Sequence, residues 1–474
     1  MYITTTIPYV NARPHLGFAL EIVQGDVLAR HHRGRGEPVR FHTGTDDNSL
    51  KNVLAAEAAG VPVRELVDRN AAAFEGLRGP LDLSFDAFVR TSADHGHRAG
   101  VERLWHATAH DFYRRHYEGL YCVGCEQFYQ EGPCPEGHEA PLRPVSEENW
   151  FFRLSRYREP LLELIGSGAL AIEPVGRRNE VLAFLESGLE DISVSRSAAR
   201  SRGWGIPVPG DPGQIVYVWW DALANYITGL DGDDYGRWWE REPHRIHLLG
   251  KGVIRFHAVY WPAMLLSAGL PLPTRLFVHD YVTAGGRKIS KSGGVTADPV
   301  ALSAAYGVDA VRWWLLREVP RVGDADFTEE RLIARADADL ADGVGNLVHR
   351  VVTMVRRFCD GRVPDAAPEP LEAVRNAGER VREALEAFDF RRAAGAVWAI
   401  VEEANQHVER TRPWRQEPAA RDRSLATLVH ACRALAVQLE PFLPTAAGRV
   451  AAAVREREDG RLPAPVPLFP RLGR

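Results

Sequence analysis

Three groups of residues in this 474-residue chain have types and spacing that could do chemistry. His15 and Gly17 stand where the strand-like stretch Tyr2–Ile7 gives way, through Pro8, Asn11 and Pro14, to a helical pattern of Leu16, Ala19, Leu20, Val23, Val27 and Leu28. A helix N-terminus offers unpaired N–H groups and positive dipole, which suits a phosphate. An imidazole there can donate to a phosphoryl oxygen, and a glycine lets a ligand approach the backbone. A polar helix cap is the plain alternative. Lys288 and Lys291 lie in the run Lys288-Ile289-Ser290-Lys291-Ser292, after Gly285-Gly286. Only four of the 58 Lys plus Arg residues are lysine, namely Lys51, Lys251, Lys288 and Lys291. Arginine is thus the default cation, and two lysines three apart point to a compact ammonium that can follow a charge moving during phosphoryl or nucleotidyl transfer. A solvated basic loop would look the same. The third group is Cys122, Cys125, Cys134 and His138, three thiols and an imidazole within 17 residues. That set can close a tetrahedral zinc site, structural because protein fills all four positions. Structural cysteines or a labile disulfide are the alternatives.

Such groups need strands that end in ligand-facing loops. A second strand is expected over Val39–His42, running into Thr43–Ser49 with Asp46 and Asp47 at its end. Carboxylates there sit where doubly wound sheets bind ligands, or else cap the next helix. The pattern predicts helices over Pro62–Leu77 and roughly Asp94–His116, a strand over Glu147–Leu154, a helix opening at Arg178, and strands over Asp191–Ser195 and Val216–Trp220. A helix starts over Asp221–Tyr226, and Trp219, Ala222, Leu223 and Tyr226 would be core by default. The strand Ile246–Gly250, the turn Lys251-Gly252-Val253, the helix Phe256–Ala268 and the strand Arg275–His279 follow. A glycine-rich strand-to-helix turn invites a nucleotide. From Pro299 the pattern is helical, with Asn346 and Arg350 on one face of a helix over Ala341–Arg357. Trp414 follows Pro413 in a turn, as a surface residue or a partly buried anchor.

The length allows two to four domains, and 45% hydrophobic with 26% charged residues is ordinary globular composition. No apolar run reaches membrane length and no signal peptide precedes the first strand, so no membrane partner and a cytoplasmic location are expected. The net charge of −5 argues against nonspecific nucleic-acid binding by the whole chain. Residues 341–474 carry 21 Arg against 18 Asp plus Glu, a balance of +3 that permits an RNA partner there.

His15-Leu16-Gly17-Phe18 and KISKS together resemble the two signatures of class I aminoacyl-tRNA synthetases. The surrounding words TIPYVNARPHLG, FHTGTDD, LYCVGCEQFY, RNEVLAFLESGLEDISVSR, YVWWDALANY, FHAVYWPAML and FVHDYVT are similar to the methionyl-tRNA synthetase family, in family order over nearly the whole chain. The resemblance implies an α/β fold: a Rossmann-type doubly wound parallel catalytic sheet with a zinc-knuckle insertion, then a C-terminal α-helical anticodon-binding bundle. The expected boundaries are 1–113 and 199–280 for the two catalytic halves, 114–198 for the insertion, 281–338 for the lysine-loop linking domain and 339–474 for the anticodon-binding domain.

It also implies a reaction: methionine attacks the α-phosphate of ATP, giving methionyl-adenylate and pyrophosphate, and the tRNA 3′ end then takes the acyl group. His15, Lys288 and Lys291 would be catalytic, and Gly17, Gly250 and Ser290 would join them in binding ATP. Asp46 would take the α-amino group, with Ile7, Tyr9, Trp219, Ala222, Leu223, Tyr226 and His257 lining the pocket for methionine or a related amino acid. A thioether packs well on aromatic rings. Asn346, Arg350 and Trp414 would read a CAU anticodon, by amide, guanidinium and stacking. Mg²⁺ would bridge phosphate oxygens, Cys122, Cys125, Cys134 and His138 would hold structural Zn²⁺, and a monomer is expected. The chain departs from the family at Phe18 for the signature's last His, Asn48-Ser49 for His-Gly, and Gly252 for Asp. Three readings follow: a methionine–tRNA ligase, an amino-acid-activating enzyme with a non-tRNA acceptor, and an inactive tRNA-binding paralogue.

Overall fold

The computed structural model describes residues 1–122, 127–129, 133–134, 142–289 and 297–473, with backbone alone at 127–129, 287 and 288. Cys125, His138, Ser290 and Lys291 lie outside the described residues. The chain divides into two compact units. The first comprises residues 1–14, 38–76 and 85–279, and the second residues 15–37, 77–84 and 280–474.

The first unit is built on a six-stranded sheet. Its strands in chain order are β1 (Tyr2–Thr5), β2 (Arg40–Thr45), β3 (Ala87–Arg90), β7 (Ala171–Glu173), β12 (Arg245–Gly250) and β13 (Arg275–His279). Their order across the sheet is β3-β2-β1-β12-β13-β7, and every neighbouring pair is parallel. The order reverses between β1 and β12, the topological switch point at which doubly wound sheets bind ligands. A central parallel strand is covered on both faces, and β1 is buried along its whole length, its polar Thr5 hydroxyl satisfied by donating to the Thr43 hydroxyl at 2.7 Å. Helices α2 (Leu50–Ala59), α3 (Val63–Glu75) and α4 (His95–Ala107) connect this half.

The segment from 108 to 217 departs from the sequence expectation at two places. The helix predicted to reach His116 stops at Ala107, where the Thr108 hydroxyl donates to the Leu104 carbonyl at 2.8 Å. The aromatic-rich run after it is β4 (Phe112–Cys122), which pairs antiparallel with β6 (Arg143–Phe152) in a sheet that also holds β5 (Gln127–Tyr129) and β8 (Ile192–Ser193). A smaller sheet joins β9 (Ser195–Ser197), β10 (Pro207–Val208) and β11 (Asp211–Val216). The strand predicted over Val216–Trp220 ends at Val216. Tyr217 then starts α7 (Val218–Thr228), accepting from the N–H groups of Trp220 and Asp221. A short apolar run does not distinguish strand from buried helix, and this one is helical. Helices α5 (Arg158–Gly166) and α6 (Val175–Glu186), the short α8 (Asp233–Tyr235) and α9 (Trp261–Ala268), led by a helical turn over Phe256–Tyr260, complete the unit.

The second unit begins with α1 (Leu16–Gly34) and continues from residue 280 with strands β14 (Val282–Ala284), β15 (Arg287–Lys288) and β16 (Ala325–Asp326). Helices α10 (Pro299–Tyr306), α11 (Val308–Arg317), α12 (Glu329–Arg335), α13 (Asn346–Phe358), α14 (Glu372–Glu386), α15 (Phe390–Thr411), α16 (Pro418–Leu439) and α17 (Pro444–Ala453) follow. Inside it Asp26 of α1 and Arg312 of α11 are both fully buried and paired at 2.9 Å. The guanidinium also donates to the carbonyls of Phe442 at 2.7 Å and Leu81 at 2.8 Å, so each buried charge has several partners. No helix among the described residues is long and apolar enough to cross a membrane.

Candidate active site

In the first unit the loop after β1 runs beside the loop after β2. Asp46 N–H donates to the Pro8 carbonyl at 2.9 Å, and Tyr9 bridges to Asp46. The Asp46 carboxylate is buried and accepts from Asn48 N–H at 3.1 Å. Across from Tyr9 stands Trp219, 6.2 Å away edge-on, itself stacked on Phe256 at 3.7 Å. His257 lies 6.3 Å from Trp219 and 5.8 Å from Tyr226. Its Nδ1 faces the Val253 carbonyl at 2.9 Å and therefore carries the proton, which leaves Nε2 to accept from the Tyr226 hydroxyl at 2.7 Å. Ala222 and Leu223 are buried on the same helix, and Ile7 is half-buried beyond the end of β1. The structure thus brings Tyr9, Asp46, Trp219, Tyr226 and His257 into one aromatic-walled site with a carboxylate at its edge. Behind Tyr226, His247 stacks at 4.2 Å, and burial keeps its imidazole neutral, well below the usual histidine range. Gly250 ends β12 opposite His279, and Gly252 is exposed in the turn after it.

In the second unit His15 caps α1. Gly17 N–H donates to His15 Nδ1 at 3.1 Å, so a neutral ring carries its proton on Nε2. The glycine has a specific reason: a Cβ there would stand 3.0 Å from His15 Cε1 and crowd the folded-back ring. Leu16 N–H donates to the Ala297 carbonyl at 3.0 Å, which ties the chain emerging from the lysine run to the start of α1. Lys288 pairs with Thr283 across β14 and β15. Phe18 is buried in the first turn.

Cys122 at the end of β4 and Cys134 are both buried; the other two expected zinc donors lie outside the described residues. On α13 Asn346 is exposed one turn before Arg350, which donates to Glu409 at 2.9 Å. Trp414 is 44% exposed in the turn Pro413–Arg415, so part of its ring is open to solvent.

Residues 1–143 and 137–352 match the family described as tRNA synthetases class I (M), and residues 361–467 match the anticodon binding domain of methionyl tRNA ligase. The chain belongs to the methionyl-tRNA synthetase family. It is 38% identical to the methionine–tRNA ligase of Brucella suis and 40% identical to that of Mycobacterium tuberculosis strain H37Rv, covering 99% of this chain and 97% of each relative. A solved structure of Mycobacterium tuberculosis methionyl-tRNA synthetase in complex with methionyl-adenylate superposes with a TM-score of 0.91 at 37% identity, over 99% of both chains. The matched anticodon domain favours the tRNA ligase over a ligase with a non-tRNA acceptor.

Two of the departures from the family pattern have local explanations. Asn48 Nδ2 donates to Asp221 at 2.7 Å, and Ser49 Oγ caps α2 by accepting from Lys51 N–H at 3.1 Å. Sequence reasoning gave Lys51 no role, yet its ammonium lies 4.7 Å from the Tyr9 ring centre. The signal was available, since Lys51 is one of four lysines in an arginine-rich chain. The pair His97–Asp221, at 2.5 Å, left no such signal.

Proposed function

We propose that this chain charges tRNA with methionine in the two steps of its family: ATP-dependent formation of methionyl-adenylate, then transfer to the tRNA 3′ end. The observation that supports the proposal is the His15 cap at the start of α1, with Gly17 N–H on its Nδ1, together with the Leu16 N–H bond to the Ala297 carbonyl, five residues past the lysine signature in the chain. His15 donates to the α-phosphate as charge develops, and Lys288 and Lys291 neutralise the departing pyrophosphate. Catalysis of this kind works by positioning and fixed charge, with no covalent enzyme intermediate. In the first unit Asp46 takes the α-ammonium, while Ile7, Tyr9, Trp219, Ala222, Leu223, Tyr226 and His257 surround the side chain. Gly17 and Gly250, lacking a Cβ, let the nucleotide lie close to the backbone, and Ser290 joins them in binding ATP. Mg²⁺ accompanies the ATP phosphates.

Cys122, Cys125, Cys134 and His138 would hold one structural Zn²⁺: three soft thiolates and an imidazole suit that ion, and the two described thiols are buried as a closed site requires. Asn346, Arg350 and Trp414 take the CAU anticodon, the exposed ring as stacking platform and the other two at base edges. The organisation 1–113, 114–198, 199–280, 281–338 and 339–474 assigns one task to each segment. Charging assays with a CAU-anticodon tRNA and an anticodon-altered copy test the proposal. Methionylation of the first alone is expected; equal charging of both would remove the anticodon reading.

A further inference from the structure

We propose that Asn48, Asp221 and His97 form a positioning relay that fixes the Asp46 carboxylate against the aromatic wall carried by α7. The inference rests on the reading of Asp46 as the α-ammonium partner. Asp46 sits in the loop after β2, whereas Trp219, Ala222, Leu223 and Tyr226 sit on α7, far away in the chain. Amino-acid binding needs both at a fixed separation, and a 1 Å error in such placement is costly. The loop is held through Asn48. Its backbone N–H donates to Asp46 Oδ1 at 3.1 Å, and its side-chain Nδ2 donates to Asp221 Oδ2 at 2.7 Å. Asp221 lies in the first turn of α7, two residues after Trp219 and one before Ala222. One residue thus grips the ammonium-binding carboxylate with its backbone and the pocket-lining helix with its side chain.

Asp221 and His97 are both buried, so their geometry is not set by solvent. Asp221 Oδ1 meets His97 Nε2 at 2.5 Å, and His97 Nδ1 meets Thr228 Oγ1, at the far end of α7, at 2.6 Å. A carboxylate only accepts, so Nε2 carries the ring proton and a neutral ring accepts from Thr228 at Nδ1. His97 therefore clamps both ends of α7 from α4. The clamp depends on a close approach of the two helices: a Cβ on Gly100 would stand 2.3 Å from Thr228 Cγ2. Asn48 fills the place where the family carries histidine, and a histidine could offer Asp221 an N–H as well.

The test measures methionine-dependent ATP–pyrophosphate exchange on the full chain, varying methionine at saturating ATP and the reverse. Asn48→Ala is expected to raise the methionine KM about tenfold by leaving Asp221 short of one donor, with the ATP KM and thermal midpoint little changed. Asn48→His, which restores an N–H, is expected to recover most of the loss. Should Asn48→Ala be too unstable to assay, Asp221→Asn carries the same expectation, since it keeps the volume and loses the charge. Methionine and ATP KM values that move together, or no change in methionine KM, would overturn the relay. Asp46→Ala separates the two readings. A raised methionine KM in Asp46→Ala alone leaves the ammonium site standing and the relay overturned. An unchanged value in Asp46→Ala overturns both.

Discussion

His15 and Gly17 are read together, because a Cβ at position 17 would stand 3.0 Å from the ring that caps the helix. Gly17→Ala should turn the ring away from the Gly17 N–H and remove a preorganised donor. Exchange should fall by roughly 10²–10³, with folding changed by no more than about 2 kcal/mol, the range for a lost cap. Steady-state exchange and thermal melting read the two effects separately, and an unchanged kcat would show that His15 orientation does not matter. Much at this scale is legible in the sequence. Residue type and spacing single out His15 and Gly17, whereas the roles of Asp46 and the pocket aromatics come from the family resemblance, since spacing alone reads the aromatics as core. The tautomers of His15 and His257 are not legible, because each is fixed by a partner that only folding supplies: a neighbouring N–H in one case and the Val253 carbonyl in the other. His97 and Asp221 are invisible for the same reason, being 124 residues apart in the chain.

Helical periodicity finds α1, α13 and the element carrying Tyr226. It misplaces the start of α7 because the run before it is apolar in either conformation, and it overruns α4 because no glycine or proline marks the end of that helix at Thr108, whose hydroxyl bonds back to Leu104. On α13 the i,i+4 spacing of Asn346 and Arg350 is correct, and the turn after α15 leaves the Trp414 ring in solvent. Trp414→Ala should weaken tRNA use by roughly 1–3 kcal/mol, the value of one stacked base, without changing amino-acid activation. Parallel charging and exchange assays would show this split; equal losses in both would make the ring a structural anchor instead.

The division of the whole chain into units is the least legible feature. Nothing in the sequence places α1 with residues 280–474; the buried Asp26–Arg312 pair does so, and its members are distant in sequence. Stability at this scale should fall in acid. Burial pushes His42 down to about 4, against the one favourable contact from Asn225. Its folded pKa is below the unfolded value of 6.5, so the unfolded chain takes up the proton first. The contribution is complete above pH 6.5 and is lost as pH falls toward 4, on the order of 3 kcal/mol. Urea midpoints between pH 7 and 4 should fall more steeply for the parent than for His42→Gln; equal slopes would show that this imidazole protonates in the folded state.

The central claim is methionine activation by a site that keeps its amino-acid pocket and lysine run but carries Phe18 and Gly252 on the nucleotide side. Amino-acid-dependent ATP–pyrophosphate exchange, measured across all the standard amino acids, tests it most directly. Exchange is expected with methionine above every other amino acid, with loss of that exchange in Lys288→Ala and a gain when Phe18→His and Gly252→Asp are combined. Exchange with no amino acid, in the parent chain and the double variant alike, would contradict it.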